Sequence, residues 1–191
     1  MGRVAGKKLW AGVAVAAVVV AFGLVWFKPW TLFVDETVNE ALPTATAPGT
    51  GSPTPSAPDA APGATASTTP PPAGPQTLAE GRFITHEHAT TGSVKVVRLA
   101  DGSHTLRLEG LDTSNGPDLK VWLSDAPVKE GTAGWGVFDD GKYVDLGKLK
   151  GNKGDQNYPL PAGVDWSAYT SVSIWCDRFN VSFGAAELVR A

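Results

Sequence analysis

The stretch TSVSIWCDRFNVSFGAAEL, Thr170 to Leu188, decides the fold. Apolar side chains recur at every second residue over Ser171–Cys176, and a second apolar, small-residue run follows from Asn180 to Leu188. A period of two belongs to a strand with one face on a core, so the stretch predicts two paired strands. In the first of them Val172, Ile174 and Cys176 share one face, and Ser171, Ser173 and Trp175 share the other. A slip of one residue would exchange the faces, so the apolar set should face the core and carry Cys176 with it. Cys176 is the chain's single cysteine and cannot close an internal disulfide. Core filler, reactive thiol and ligand stay open as its roles.

The same period continues upstream. It predicts strands over Gly81–His86, Ser93–Leu99, His104–Glu109, Leu119–Ser124, Tyr143–Leu146 and Gln156–Leu160, separated by Gly, Asn and Asp turns. Asp101-Gly102 is a two-residue hairpin signal, and Asp165–Tyr169 fits no alternation and is expected to make one helical turn. With no internal repeat and no long amphipathic helix after residue 78, the fold expected is all-β, an antiparallel, jelly-roll-like β-sandwich. In the Leu119–Ser124 strand, Leu119, Val121 and Leu123 should point inward and Trp122 outward. Trp122 and Trp175 then form an aromatic surface, or lie under the Gly-rich connection Asp125–Gly141, which carries Trp135 and Phe138. Exposed aromatic patches are uncommon on monomers, which favours the cover.

The amino end has another character. Leu9–Phe27 is an uncharged apolar run, about 28 Å long as a helix against a hydrocarbon core of about 30 Å. Arg3, Lys7 and Lys8 precede it, and Trp10, Trp26 and Trp30 sit where interfacial aromatics belong. Phe27-Lys28-Pro29-Trp30 lacks a small-residue cleavage pattern. Residues 1–8 are therefore expected in the cytoplasm, with 9–27 as an uncleaved transmembrane signal anchor and the remainder outside the cell membrane. Residues 28–42 form a juxtamembrane segment, in which Thr31–Pro43 suits a short surface helix or a fraying extension of the anchor. Ten of the 15 prolines lie between Pro43 and Pro75. Residues 43–77 are thus expected to be a disordered, partly polyproline spacer with a reach of about 100 Å, and 78–191 the folded domain.

Charge narrows the partners. The chain carries 16 basic and 19 acidic side chains with no basic cluster in the domain, which argues against nucleic-acid binding. No GxSxG, HExxH, P-loop or paired-carboxylate motif marks a hydrolase, so a stand-alone enzyme is not the expectation. There is no CxxCH for covalent haem. His86 and His88, two apart, would share a strand face as paired imidazole ligands do, and could hold a metal. The more frequent reading of such a pair at a strand end is solvated loop residues. Asp112–Leu119, DTSNGPDL, offers oxygen ligands without calcium-loop spacing and reads as a turn.

The blocks GPDL at Gly116–Leu119 with the following KVWLS, VDLGKLKGNKGDQNYPLP, and SVSIWCDRFNVSFGAAEL resemble the DM-thirteen domain family, an electron-transfer domain, over roughly Gly81–Leu188. The resemblance implies a β-rich exported domain. It also implies that Cys176 works as a redox thiol or as the ligand of a prosthetic group such as haem, for which Trp175 and Trp122 would be neighbouring candidates. A redox partner follows from that reading. Two other classes stay open beside it: a cell-wall or envelope binding module displaying Trp122 and Trp175, and an envelope scaffold in which Cys176 is packing.

Overall fold

The computed structural model describes residues 2–27, 34–43 and 74–191. Helix α1 spans Gly2–Phe27 and covers the apolar run. Strands follow as β1 (Thr37–Asn39), β2 (Gln76–Thr85), β3 (Thr91–Arg98), β4 (His104–Asp112), β5 (Leu119–Ser124), β6 (Tyr143–Lys148), β7 (Lys153–Pro159), β8 (Ser171–Cys176), β9 (Val181–Glu187) and β10 (Val189–Arg190). All eight expected strands are present. The helical turn is present too: Trp166–Ala168 is a 3-10 turn, and the Asp165 side chain accepts from the Ser167 N–H. The β3–β4 hairpin closes with a longer connection than Asp101-Gly102 alone, since Leu99–Ser103 separates the strands and Gly102 takes φ 83°.

The architecture is all-β and mostly antiparallel, but it is one curled sheet rather than a jelly-roll sandwich. The order is β1-β7-β4-β3-β2-β9-β8-β5-β6, with β10 also on β2. The join is β2. Its first part pairs with β3 from Gln76 to Arg82, and its last residues, Phe83–Thr85, pair with β9. A long strand that changes partners in this way bends the sheet around its own inner face. Gly81 sits at the bend because a Cβ there would lie 2.1 Å from the carbonyl oxygen of Glu187. The enclosed face holds the expected alternating set: Val94, Val96, Leu106, Leu108, Val121, Leu123, Val172, Ile174 and Phe183 are buried together with Cys176.

The helical reading of Thr31–Pro43 is overturned over the described residues 34–43. Residues 34–43 are no helix: Thr37–Asn39 is an edge strand, parallel to β7. The sequence from Asn152 to Asn157 holds it along its length. The Asn152 side chain accepts from the Glu36 N–H and donates to Asp35. Glu40 receives the Lys150 ammonium at 2.7 Å and the Asn157 N–H at 2.8 Å. Those two donors hold the Glu40 carboxyl below the usual carboxylate range. Only residues 28–33 separate α1 from this docked segment, a gap of about 25 Å at full stretch.

Among the described residues no helix is long and apolar enough to cross a membrane. Within α1 the side chains so described are Trp10 and residues 12–26. Val13, Val15, Val18, Phe22, Val25 and Trp26 are all exposed there. The expected 43–77 spacer falls mostly outside the described residues, but Gln76 and Thr77 already belong to β2.

Candidate functional site

Cys176 ends β8, paired with Leu119 on β5 and Val181 on β9. Its side chain has no exposed surface and joins the inner core with Val121, Ile174 and Phe183. Burial pushes the thiol pKa up, and hydrogen bonds from the backbone of Phe179, Arg178 and Asp118 counter it only in part. The charged neighbours in sequence are engaged elsewhere. Asp177 pairs with Lys120 at 2.9 Å, and the Arg178 guanidinium lies over the Trp26 ring and donates to the Trp26 carbonyl. A neutral, sealed thiol is a poor nucleophile.

A haem held by this sulfur does not fit the arrangement. An axial ligand must present its sulfur to an open face, and Cys176 presents none. Two cavities among the described residues, about 620 and 610 Å³, are lined by residues including Glu80, Arg82 and Lys95, and Glu40, His104 and Lys150, and Cys176 lines neither.

Trp175 and Trp122 lie on the opposite face of the sheet, and neither is an exposed binding surface: Trp122 is 4 % exposed and Trp175 0 %. The connection Asp125–Gly141 folds over them, burying Phe138 and Ala126 in the same cluster. The rings form a column. Tyr143 stacks on Trp122 at 4.1 Å and 12°, Trp122 on Trp175 at 4.7 Å and 20°, and Phe138 meets Trp175 edge-on at 6.5 Å. Stacked aromatic pairs add about 0.5–1.5 kcal/mol beyond area burial. Tyr143 is the open end, 44 % exposed on edge strand β6. The indole N–H groups of Trp122 and Trp175 are buried without a hydrogen-bond partner among the described residues.

His86 is not a solvated loop residue. It follows β2 directly, is 5 % exposed, and latches the covering loop. Its Nε2 lies 3.0 Å from the Lys129 carbonyl oxygen, and its Nδ1 lies 2.8 Å from Ser182 Oγ. Because Nε2 must donate to the carbonyl, Nδ1 accepts from the Ser182 hydroxyl, which itself accepts from Ser173 at 2.9 Å. Gly134 packs against this latch, where a Cβ would sit 2.0 Å from the Lys129 oxygen. His88 turns elsewhere, its ring 4.0 Å from that of Phe183. Both His86 nitrogens are therefore engaged, and no group of three His, Cys, Asp or Glu side chains suited to a metal occurs among the described residues. Ser173 and Ser182, with Lys129, are the site residues that the alternation hides. Polar residues at outward positions read as solvent-facing, and only the loop's return makes them interior.

Burial lowers the His86 pKa, with the Lys129 carbonyl opposing. The folded state thus prefers the neutral ring, and the unfolded chain binds the proton more readily. Stability from this group is complete above the unfolded value near 6.5 and is lost as pH falls through the folded value. Denaturant melts of the wild type should weaken between pH 7.5 and about 5, above the carboxylate range. The slope should flatten in His86→Gln, and an equal slope in both proteins would remove His86 as its source.

The model of the family described as DM13, electron transfer DM13, matches residues 82–188, more than half of the chain. That span runs from the bend of β2 to the end of β9 and contains both Cys176 and the aromatic column. No curated protein and no solved structure gave a match.

Proposed function

Because the chain belongs to the DM13 electron-transfer family, we propose that it is a single-electron-transfer module held on the outer side of a membrane by α1, with Cys176 as its redox thiol. The observation that carries the reading is the family match over residues 82–188, from the bend of β2 through β9. The mode of transfer follows from burial. Thiol–disulfide exchange requires in-line attack by a second sulfur, which a thiol with no exposed surface does not permit. Single-electron transfer needs proximity rather than contact, and Trp175 adjoins Cys176 in the chain.

The anchoring part of the reading rests on the surface character of α1 and the charges at its start. It does not rest on a spanning helix, since no described helix meets that length and apolarity. The 26 residues of α1 include a row of apolar side chains exposed to the surroundings, a surface that an apolar medium would satisfy. Arg3, Lys7 and Lys8 at its start favour a cytoplasmic amino end. The envelope-binding alternative is not favoured, since Trp122 and Trp175 lie beneath the loop.

The test is Cys176→Ser in the full chain. Burying a hydroxyl in place of the thiol should cost about 1–2 kcal/mol, with the fold retained by circular dichroism. Protein-film voltammetry should then show a wave in the wild type that the variant lacks. A wave of equal size in both would leave Cys176 as packing.

A further inference from the structure

We propose that Trp175, Trp122 and Tyr143 form a relay that carries an oxidising equivalent from Trp175, the chain neighbour of Cys176 on the opposite face of the sheet, to the protein surface. It rests on the electron-transfer reading and names the route. The three residues stand on adjacent strands β8, β5 and β6, so the sheet's own hydrogen bonds fix their order. Electronic coupling between rings falls steeply with the gap between them. Two consecutive near-parallel contacts, at 4.7 Å and 4.1 Å between centroids, make one continuous path. Phe138 touches the inner end edge-on, but a benzyl ring is too hard to oxidise to extend the path.

The direction is set by where a proton can go. An indole that has lost an electron becomes a strong acid. Among the described residues neither Trp175 nor Trp122 has an acceptor for its N–H, and both are buried. Each would have to remain a charged radical in an apolar layer, which is costly. Tyr143 is 44 % exposed, so its phenol can release a proton to water as it yields an electron.

The step balances as follows. A small radical oxidant in the surrounding solution, of the peroxyl class, takes an electron from buried Trp175 across the intervening protein and leaves as its anion. Trp122 refills Trp175, and Tyr143 refills Trp122. The Tyr143 hydroxyl proton passes to solvent. The oxidant is reduced by one electron, and Tyr143 is left as a neutral phenoxyl radical. A small one-electron reductant in the surrounding solution, such as an ascorbate or a thiol, restores it.

Laser photoionisation of indoles in the full-length protein, with the ejected electron scavenged, supplies the oxidising equivalent without any natural partner. In the wild type, tyrosyl radical absorption should grow as tryptophanyl absorption decays. That growth should be lost in Tyr143→Phe, a change at an exposed position that leaves the fold intact, and in Trp122→Phe. It should persist in Trp166→Phe, which lies outside the column, and in Cys176→Ser. Undiminished growth in Tyr143→Phe or Trp122→Phe, or no growth in the wild type, overturns the relay. A relay that works while voltammetry shows no Cys176 wave would instead remove the thiol and keep the route.

Discussion

Trp175→Ala should lower the stability of the sheet by about 3–5 kcal/mol, the range for emptying a site filled by a large buried aromatic. In thermal melts that corresponds to a fall of roughly 10–20 °C for a domain of this size. The ring has no exposed surface, and it supports Trp122 on one side and Phe138 on the other. Its removal therefore takes away the floor on which Asp125–Gly141 rests. The near-ultraviolet circular dichroism of the stacked indoles should disappear with it, while the far-ultraviolet strand signal persists. A loss below about 1 kcal/mol, the ordinary range for a surface change, would mean that the loop does not pack on this column.

The second large effect concerns the segment between Pro43 and Gly74. Read from sequence, it is a spacer, and protease added to spheroplasts should release the domain once the spacer is cut. The docking of β1 on β7 reverses that expectation: after cleavage the domain should stay attached to the residues that precede Pro43. Ladder bonds, the Asn152 contacts and the Glu40–Lys150 pair hold the two pieces together.

Gly154→Val should undo this. Gly154 takes φ 95°, and a Cβ there would lie 2.2 Å from the Val38 carbonyl oxygen. Gly151 is equally tight, at 2.4 Å from the Glu36 oxygen. Any strained side chain that costs more than about 1.4 kcal/mol in this interface weakens retention about tenfold. Release of the domain from the cleaved wild type without denaturant, or equal retention in Gly154→Val, would contradict the docking.

The strands from β2 to β9 were legible because each buries one face and leaves a period of two behind. Val172, Ile174 and Cys176 were placed inward on that ground alone, and they are inward. Curling was not legible, because periodicity reports faces and is silent on which neighbour a strand takes. The switch of β2 from β3 to β9 depends on Gly81 passing beneath Glu187, over a hundred residues later. β1 was invisible for a related reason. Thr37-Val38-Asn39 has no alternation to read, and its partners are a glycine pair and two asparagines contributed from the far side of the sequence. His86 was misread as solvated because its acceptor, Lys129, and its donor, Ser182, stand 43 and 96 residues away.

The docked edge strand also sets the evolutionary freedom of the proline-rich stretch. With Thr37–Asn39 bound on one side and Gln76 entering β2 on the other, both ends of the intervening stretch are fixed to the sheet, so it closes a ring. The entropy of ring closure grows only with the logarithm of length, so doubling the stretch costs about 0.6 kcal/mol. Insertions, deletions and reshuffled Pro-Ala-Thr runs can therefore accumulate there almost without penalty to the fold.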